Sequence, residues 1–344
     1  MALLLVILSG MIIGIIFGFI LQRGRFCMNS AFRDIILLKE YKLFKGVILI
    51  LGVSMIGFSI MILSGVLTAA PKPFTIVGSI LGGFIFGIGM VLAAGCASGT
   101  TYRVGEGMIG SLVALITLAV GVVLTSLFIK PAMAGILFPI NDPTTKGSLT
   151  IAGAFTPIVM LIIGIIVIAI LSFKELLPSI KEKKSANEPV LDFSNIGNKM
   201  FKTPYPWWVA GLAIGVLNTI AWIVSFYIAQ RNYPMGITKG WGDLLLFVPS
   251  WDLFLVLGIV VGAFIAAVIS KEFKIRVPKD KMTLVKQAIG GFLMGFGAVL
   301  AAGCNVGNFL SGIPMGSVGS LVVGICIILG CWVMTYILFM RNED

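Results

Sequence analysis

Long uncharged stretches alternate with short polar ones along this chain. No Asp, Glu, Lys or Arg occurs within 1–21, 46–71, 73–102, 107–129, 147–173, 203–230, 253–270 or 287–340. A helix needs about 20 apolar residues to cross the hydrocarbon core of a bilayer, so most of these stretches fit one tilted span each. The stretch 73–102 is slightly long. The last is far too long for one helix, and Gly303, Gly307, Gly312, Pro314 and Gly316 break its middle. Two spans there bring the total to nine, which predicts an all-α polytopic membrane protein. The first positive charges, Arg23 and Arg25, follow the opening apolar run, and no small-residue cleavage site is present. The run is expected to be a retained helix rather than a signal peptide.

Composition agrees and removes several chemistries. Of 344 residues, 58% are hydrophobic and 11% charged, with mean hydropathy +1.09; soluble domains carry about 25% charged residues. The chain has no histidine, so the commonest metal ligand and the usual general base are missing. No metal, no cofactor and no hydrolase triad built on histidine is expected, and the chain does not read as an enzyme.

The net charge of +11 is distributed by loop. Six Lys or Arg lie in each of 22–46, 173–205 and 271–288, whereas 66–75, 130–150 and 230–250 carry one, two and two. By the positive-inside rule the rich loops are cytoplasmic, with the N-terminus outside and the C-terminus in the cytoplasm. The basic excess therefore records topology and not nucleic-acid binding. Tyr205, Trp207, Trp208, Trp241 and Trp251 flank spans where aromatic belts are expected.

An internal repeat adds architecture. Residues 82–99, GGFIFGIGMVLAAGCASG, match 290–307, GGFLMGFGAVLAAGCNVG, at 12 of 18 positions, and GSLV recurs at 110–113 and 319–322. Gly14 and Gly18 have counterparts in Gly211 and Gly215. The loop before the first copy is poor in charge and the one before the second is rich, so the copies enter the membrane from opposite sides. This divides the chain into a first inverted repeat (1–130), an extra span with a basic cytoplasmic linker (131–205) and a second inverted repeat (206–344). Glycine-rich broken segments that meet near the midplane are a transporter architecture, although a channel can be built the same way.

Candidate chemistry then falls to cysteine. Arg103 and Glu106, at i and i+3, read as a local pair at a helix end, and apart from Glu106 no carboxylate presents itself for a proton relay. Cys326 and Cys331 read as small core residues of the last span. Cys96 and Cys304 follow the same AAG at the broken point of each copy, where pseudosymmetry brings two thiols near the midplane; Cys27 follows QRGRF and has no counterpart. Gly95 and Gly303 open the backbone at the breaks, and Ser98, Thr100, Thr101, Asn305 and Asn308 offer hydroxyl and amide groups to an oxyanion or cap the breaks. A thiol beside a helix N-terminus suits a soft, sulfur-bearing anion, and tight packing around a small side chain is the competing reading.

LQRGRFCMNSAFRD at 21–34, with LAAGC at 92–96 and 300–304, resembles the YeeE/YedE family of bacterial inner-membrane sulfur-compound transporters. The resemblance implies an hourglass of nine spans plus short re-entrant helices. It implies that thiosulfate is imported by relay along thiols matching Cys27, Cys96 and Cys304, and that a cytoplasmic TusA-like sulfur-carrier protein receives it. A selenium compound, an anion channel and a membrane sulfur-transfer enzyme are the alternatives.

Overall fold

A computed structural model describes residues 2–72, 74–132, 149–176, 201 and 203–341; most of the basic linker within 173–205 and of the loop 130–150 lies outside them. Among the described residues twelve α-helices of eight residues or more carry the fold. They are α1 (Ala2–Arg23), α2 (Met28–Leu37), α3 (Lys42–Leu63), α4 (Ile76–Leu92), α5 (Ala97–Gly105), α6 (Ile109–Leu124), α7 (Thr156–Leu171), α8 (Trp207–Ala229), α9 (Thr238–Leu245), α10 (Trp251–Ile269), α11 (Lys281–Leu300) and α12 (Val318–Thr335). Among the described residues nine helical units are long and apolar enough to cross a membrane, α1 running on into α2 and α4 into α5. The protein is thus an all-α, multi-pass membrane protein. The final uncharged stretch does divide in two, with a π-helical segment, Val306–Gly312, after the break.

Local sequence explains the helix starts. Asp280 Oδ1 accepts from Met282 N at 3.0 Å, Ser250 Oγ from Leu253 N at 3.1 Å and Ser317 Oγ from Ser320 N at 3.3 Å, each satisfying an orphan amide of a first turn. Pro157 sits in the first turn of α7, where its missing N–H is no loss.

Packing is organised in matching pairs. α1 lies on α10 and α8 on α3; α4 lies on α12 and α11 on α6; α4 and α11 cross each other. The two repeat glycine runs make that last crossing possible. A Cβ on Gly82 would meet Ala301 N at 2.5 Å, and one on Gly89 would meet Gly290 O at 2.7 Å. The numbers fall on α11 as they rise on α4, so the two copies run antiparallel. The short helices α2 and α9 have matching partners: α2 packs on α3 and α12, α9 on α10 and α6.

The loops sort onto two ends. At one end, Asn232 Nδ2 donates to Thr68 O at 2.8 Å, Tyr227 Oη to Val66 O at 3.2 Å, and Ile151 N to Gly316 O at 3.0 Å. At the other, Tyr205 N donates to Arg23 O at 2.8 Å and Arg276 N to Gly107 O at 2.9 Å. Described parts of the three basic loops share the second end. Two of the tryptophans expected in interfacial belts do not sit in one. Trp241 and Trp251 are buried; the indole of Trp241 donates to Thr101 Oγ1 at 3.0 Å, and Trp251 lies under Arg231. A hydroxyl acceptor inside the bundle holds the first ring, and a cation over its face holds the second.

Candidate translocation site

Both AAGC motifs fold into the same tight turn. The second alanine of each, Ala94 (φ 55°) and Ala302 (φ 53°), adopts the left-handed conformation, which ends α4 and α11. A cation holds the carbonyl of each: the Arg103 guanidinium donates to Ala94 O and the Lys72 ammonium to Ala302 O. Arg103 and Glu106 are therefore not the local pair expected. Glu106 instead accepts from Arg25 Nη1 at 3.1 Å and from Gln22 Nε2 at 3.2 Å. Those contacts reach across to the end of α1 and the turn after it, where Arg23 and Arg25 are close together and a carboxylate is better placed than within its own turn.

Cys96 stands at the N-cap of α5. Its sulfur accepts from Gly99 N at 3.2 Å and lies 3.3 Å from Ser98 Oγ, so a thiol does the work that serine does at other helix starts. Cys27 stands at the N-cap of α2 without such a bond. Its sulfur instead lies 3.6 Å from that of Cys96, a thiol–thiol contact between two helix N-termini. Glycine is required beside them, because a Cβ on Gly99 would come within 2.5 Å of Cys27 Sγ. Both cysteines are buried and free of disulfide.

Cys304 faces a different space. It lines a cavity of about 190 Å³ with Lys72, Arg231, Tyr233, Lys239 and Gly303. No hydrogen bond joins it to the other two thiols among the described residues. Lys72 Nζ sits 4.7 Å above the Tyr233 ring, and Tyr233 donates its hydroxyl to Gly307 O. Burial drives the Lys72 ammonium down to about 8 and pushes the Tyr233 phenol up. Arg231 is anchored by Asp252 at 3.0 Å and by the carbonyls of Tyr233 and Pro234. The chemistry of this mouth is attraction of an anion by Lys72, beside Arg231 and Lys239 that are already held by Asp252 and Asp243.

The other polar side chains expected at the site divide by their partners. Thr100 Oγ1 donates to Cys96 O at 2.9 Å, and Asn308 Nδ2 to Gly303 O at 2.8 Å and Cys304 O at 3.1 Å; both brace the breaks. Asn305 differs. It is fully buried, its side chain lies within reach of the Cys96 thiol from the residue after Cys304, and neither amide atom makes a well-formed hydrogen bond among the described residues. Gly95 lies against Thr100 and the Arg103 guanidinium, and Gly303 against the Lys72 ammonium, so both leave room for the cation at their turn. Cys331 Sγ is 3.7 Å from Asn29 Oδ1 and Cys326 packs on Gly83, within the helix packing expected of them.

Sequence pattern alone does not point to Lys72, Arg231, Tyr233 or Lys239, nor to Asp252, which with Glu106 at the other end makes up the buried carboxylates of the described residues. The one available signal was that Lys72 is the sole charge in loop 66–75.

Residues 23–333 match the family model described as Sulphur transport. The Thiosulfate transporter TsuA of Spirochaeta thermophila is 36% identical over 97% of this chain and 99% of its own length. The Thiosulfate transporter TsuA of Escherichia coli (strain K12) is 35% identical over 98% of this chain and 96% of its own. The Probable transporter YedE of the same organism is 37% identical over 81 residues, 24% of this chain and 20% of that one.

Proposed function

Because the chain belongs to the Sulphur transport family, and is a membrane transporter of sulfur compounds rather than an enzyme, we propose that it imports thiosulfate by relay along Cys304, Cys96 and Cys27. The similarity to two thiosulfate transporters over nearly the whole chain favours that ion. The observation that carries the relay is the 3.6 Å contact of the Cys27 and Cys96 thiols at two helix N-termini. Cys304 opens on a cationic cavity and Asn305, without a well-formed hydrogen bond among the described residues, lies within reach of Cys96. In this reading the anion enters at Lys72 and Arg231 and is desolvated beside Cys304. The Asn305 amide and the S–H groups then replace its water on the way to Cys27, each thiol acting as a weak donor to sulfur or oxygen.

The membrane in question is the bacterial inner membrane, with the Lys72 end and the N-terminus outside and the end bearing Arg23, Glu106 and Arg276 in the cytoplasm. The basic loops support that orientation. The paired helices and the antiparallel α4 and α11 support two inverted repeats, 1–130 and 206–344, flanking a narrow centre. A cytoplasmic TusA-like carrier, with a cysteine of its own, takes the sulfur onward.

Thiosulfate uptake by proteoliposomes tests the relay. Cys96→Ala and Cys304→Ala abolish uptake while elution and melting stay close to the parent, since losing one sulfur leaves only a small cavity. Cys326→Ala, away from the path, transports nearly as the parent does. Equal behaviour of all three variants would overturn the relay, and conduction persisting in Cys→Ser variants with single-channel currents would make the protein a channel.

A further inference from the structure

Most arginines of this chain are spoken for. Arg23 and Arg25 reach Glu272 at 3.5 and 2.9 Å, Arg25 also reaches Glu106, Arg33 reaches Asp34 at 2.7 Å and Arg231 reaches Asp252. Arg103 and Arg276 have no carboxylate partner among the described residues. They line the same cavity, of about 220 Å³, and no acidic side chain shares its wall. Arg276 is exposed and Arg103 half-buried, so the two guanidinium groups present uncompensated positive charge where an anion can reach it.

The backbone contributes to the same wall. The cavity is bounded by Gly110 and Ser111, in the first turn of α6, whose N-cap Met108 offers no side-chain cap. The amide of Ile109 is used by Arg276 O at 3.0 Å, which ties the loop carrying Arg276 to the helix start. First-turn amides of α6 and its dipole thus add to the two cations. Gln287 completes the wall.

The cavity's position in the fold gives it a role. Ala94, the left-handed residue of the first break, forms part of its lining, as Ala302 of the second break lines the cavity of Cys304. Each broken segment therefore has a cationic basin at its turn, one toward either end of the molecule. We propose that Arg103, Arg276 and the N-terminal turn of α6 form a release site, where the doubly charged sulfur oxyanion dwells after passing the thiols and before entering the cytoplasm. This rests on the import reading above and extends it. A release site must refill from the inside when the product is abundant, so internal substrate slows further uptake.

The test uses proteoliposomes of the full chain loaded with rising unlabelled thiosulfate, with initial uptake of labelled thiosulfate from outside as readout. In the parent, internal thiosulfate inhibits uptake. Arg276→Gln raises the internal concentration giving half inhibition at least fivefold, Arg276→Lys restores most of the parent's sensitivity, and Arg341→Gln, at the far end of the last helix, behaves as the parent. An unchanged half-inhibiting concentration in Arg276→Gln, with protein that elutes as the parent does, overturns the proposal. So does equal inhibition by internal phosphate, which would mark a sensor of cytoplasmic oxyanions in general. A parent that carries no thiosulfate at all is a different result, since it defeats the import reading itself.

Discussion

Lys72 is the side chain whose charge state matters most at the mouth. Its ammonium holds Ala302 O, lies over Tyr233 and lines the cavity of Cys304. Burial lowers it from 10.5 to about 8, so the sign is simple. Below about pH 8 the group is a cation that draws an anion in; above it the charge is lost while the burial stays. A hydrogen bond to a charged group is worth about 1.5–3 kcal/mol, or roughly a ten- to hundredfold change in affinity. The half-saturation constant for external thiosulfate is therefore expected to rise roughly five- to tenfold between pH 7 and 9, with the substrate a dianion throughout. Arg stays charged over that range, so Lys72→Arg flattens the profile. A parent profile that is already flat, or a Lys72→Arg profile as steep as the parent's, would assign the mouth to other cations. Glu106 lies at the opposite end, bound by Arg25, whereas Asp252 pairs with Arg231 behind the cavity wall and partly offsets the effect of burial on Lys72.

The broken helices show how much a sequence pattern reveals and where it stops. Uncharged length gave the spans, because hydropathy and charge alone decide what lipid accepts. The LAAGC repeat located the breaks and singled out Cys96 and Cys304. The repeat did not reveal that the alanine before the glycine is left-handed in both copies, with Gly303 at positive φ as well in the second, since only the backbone path decides. Nor could spacing bring Arg25 to Glu106 or Lys72 to Ala302, which are joined by tertiary folding over long separations. Cys27 is the clearest case: nothing in its local sequence predicts a thiol 3.6 Å away on α5's cap, and only the family motif marked it. The alanines themselves give a testable consequence. A left-handed non-glycine residue costs about 1–2 kcal/mol, while glycine costs about 0.5–1 kcal/mol in unfolded-chain entropy. Ala94 and Ala302 are exposed at their turns, so no packing is lost. Ala94→Gly and Ala302→Gly are each expected to stabilise the protein by roughly 0.5–1 kcal/mol, seen as a higher melting temperature in detergent. A drop in melting temperature would mean that the alanine methyls hold the turns in some way their exposure conceals.

At the scale of the whole molecule the question is what drives accumulation. Moving one charge against 100 mV costs about 2.3 kcal/mol, so drawing a dianion into a negative interior costs about 5 kcal/mol. At about 1.4 kcal/mol per tenfold, an uncoupled path would leave free internal thiosulfate roughly a thousandfold or more below the external level. Coupling to protons would need a titrating group along the path. The buried carboxylates of the described residues, Glu106 and Asp252, are held by Arg25 and Arg231 at the two ends, away from the thiol contact at the centre. Capture remains: a cytoplasmic carrier whose thiolate takes the outer sulfur as a persulfide, breaking the S–S bond and releasing sulfite, keeps internal thiosulfate near zero, and the gradient then runs inward at any ordinary external level. Proteoliposomes held at −100 mV, inside negative, are thus expected to show a small early plateau of labelled thiosulfate when empty. Continued uptake, set by the amount of carrier, is expected when they contain a reduced TusA-like protein. Accumulation that follows an imposed pH gradient and ignores the carrier would sink this account and return attention to Glu106, the carboxylate nearer the exit. Abolition of that pH-driven uptake by Glu106→Gln would then identify the coupling group.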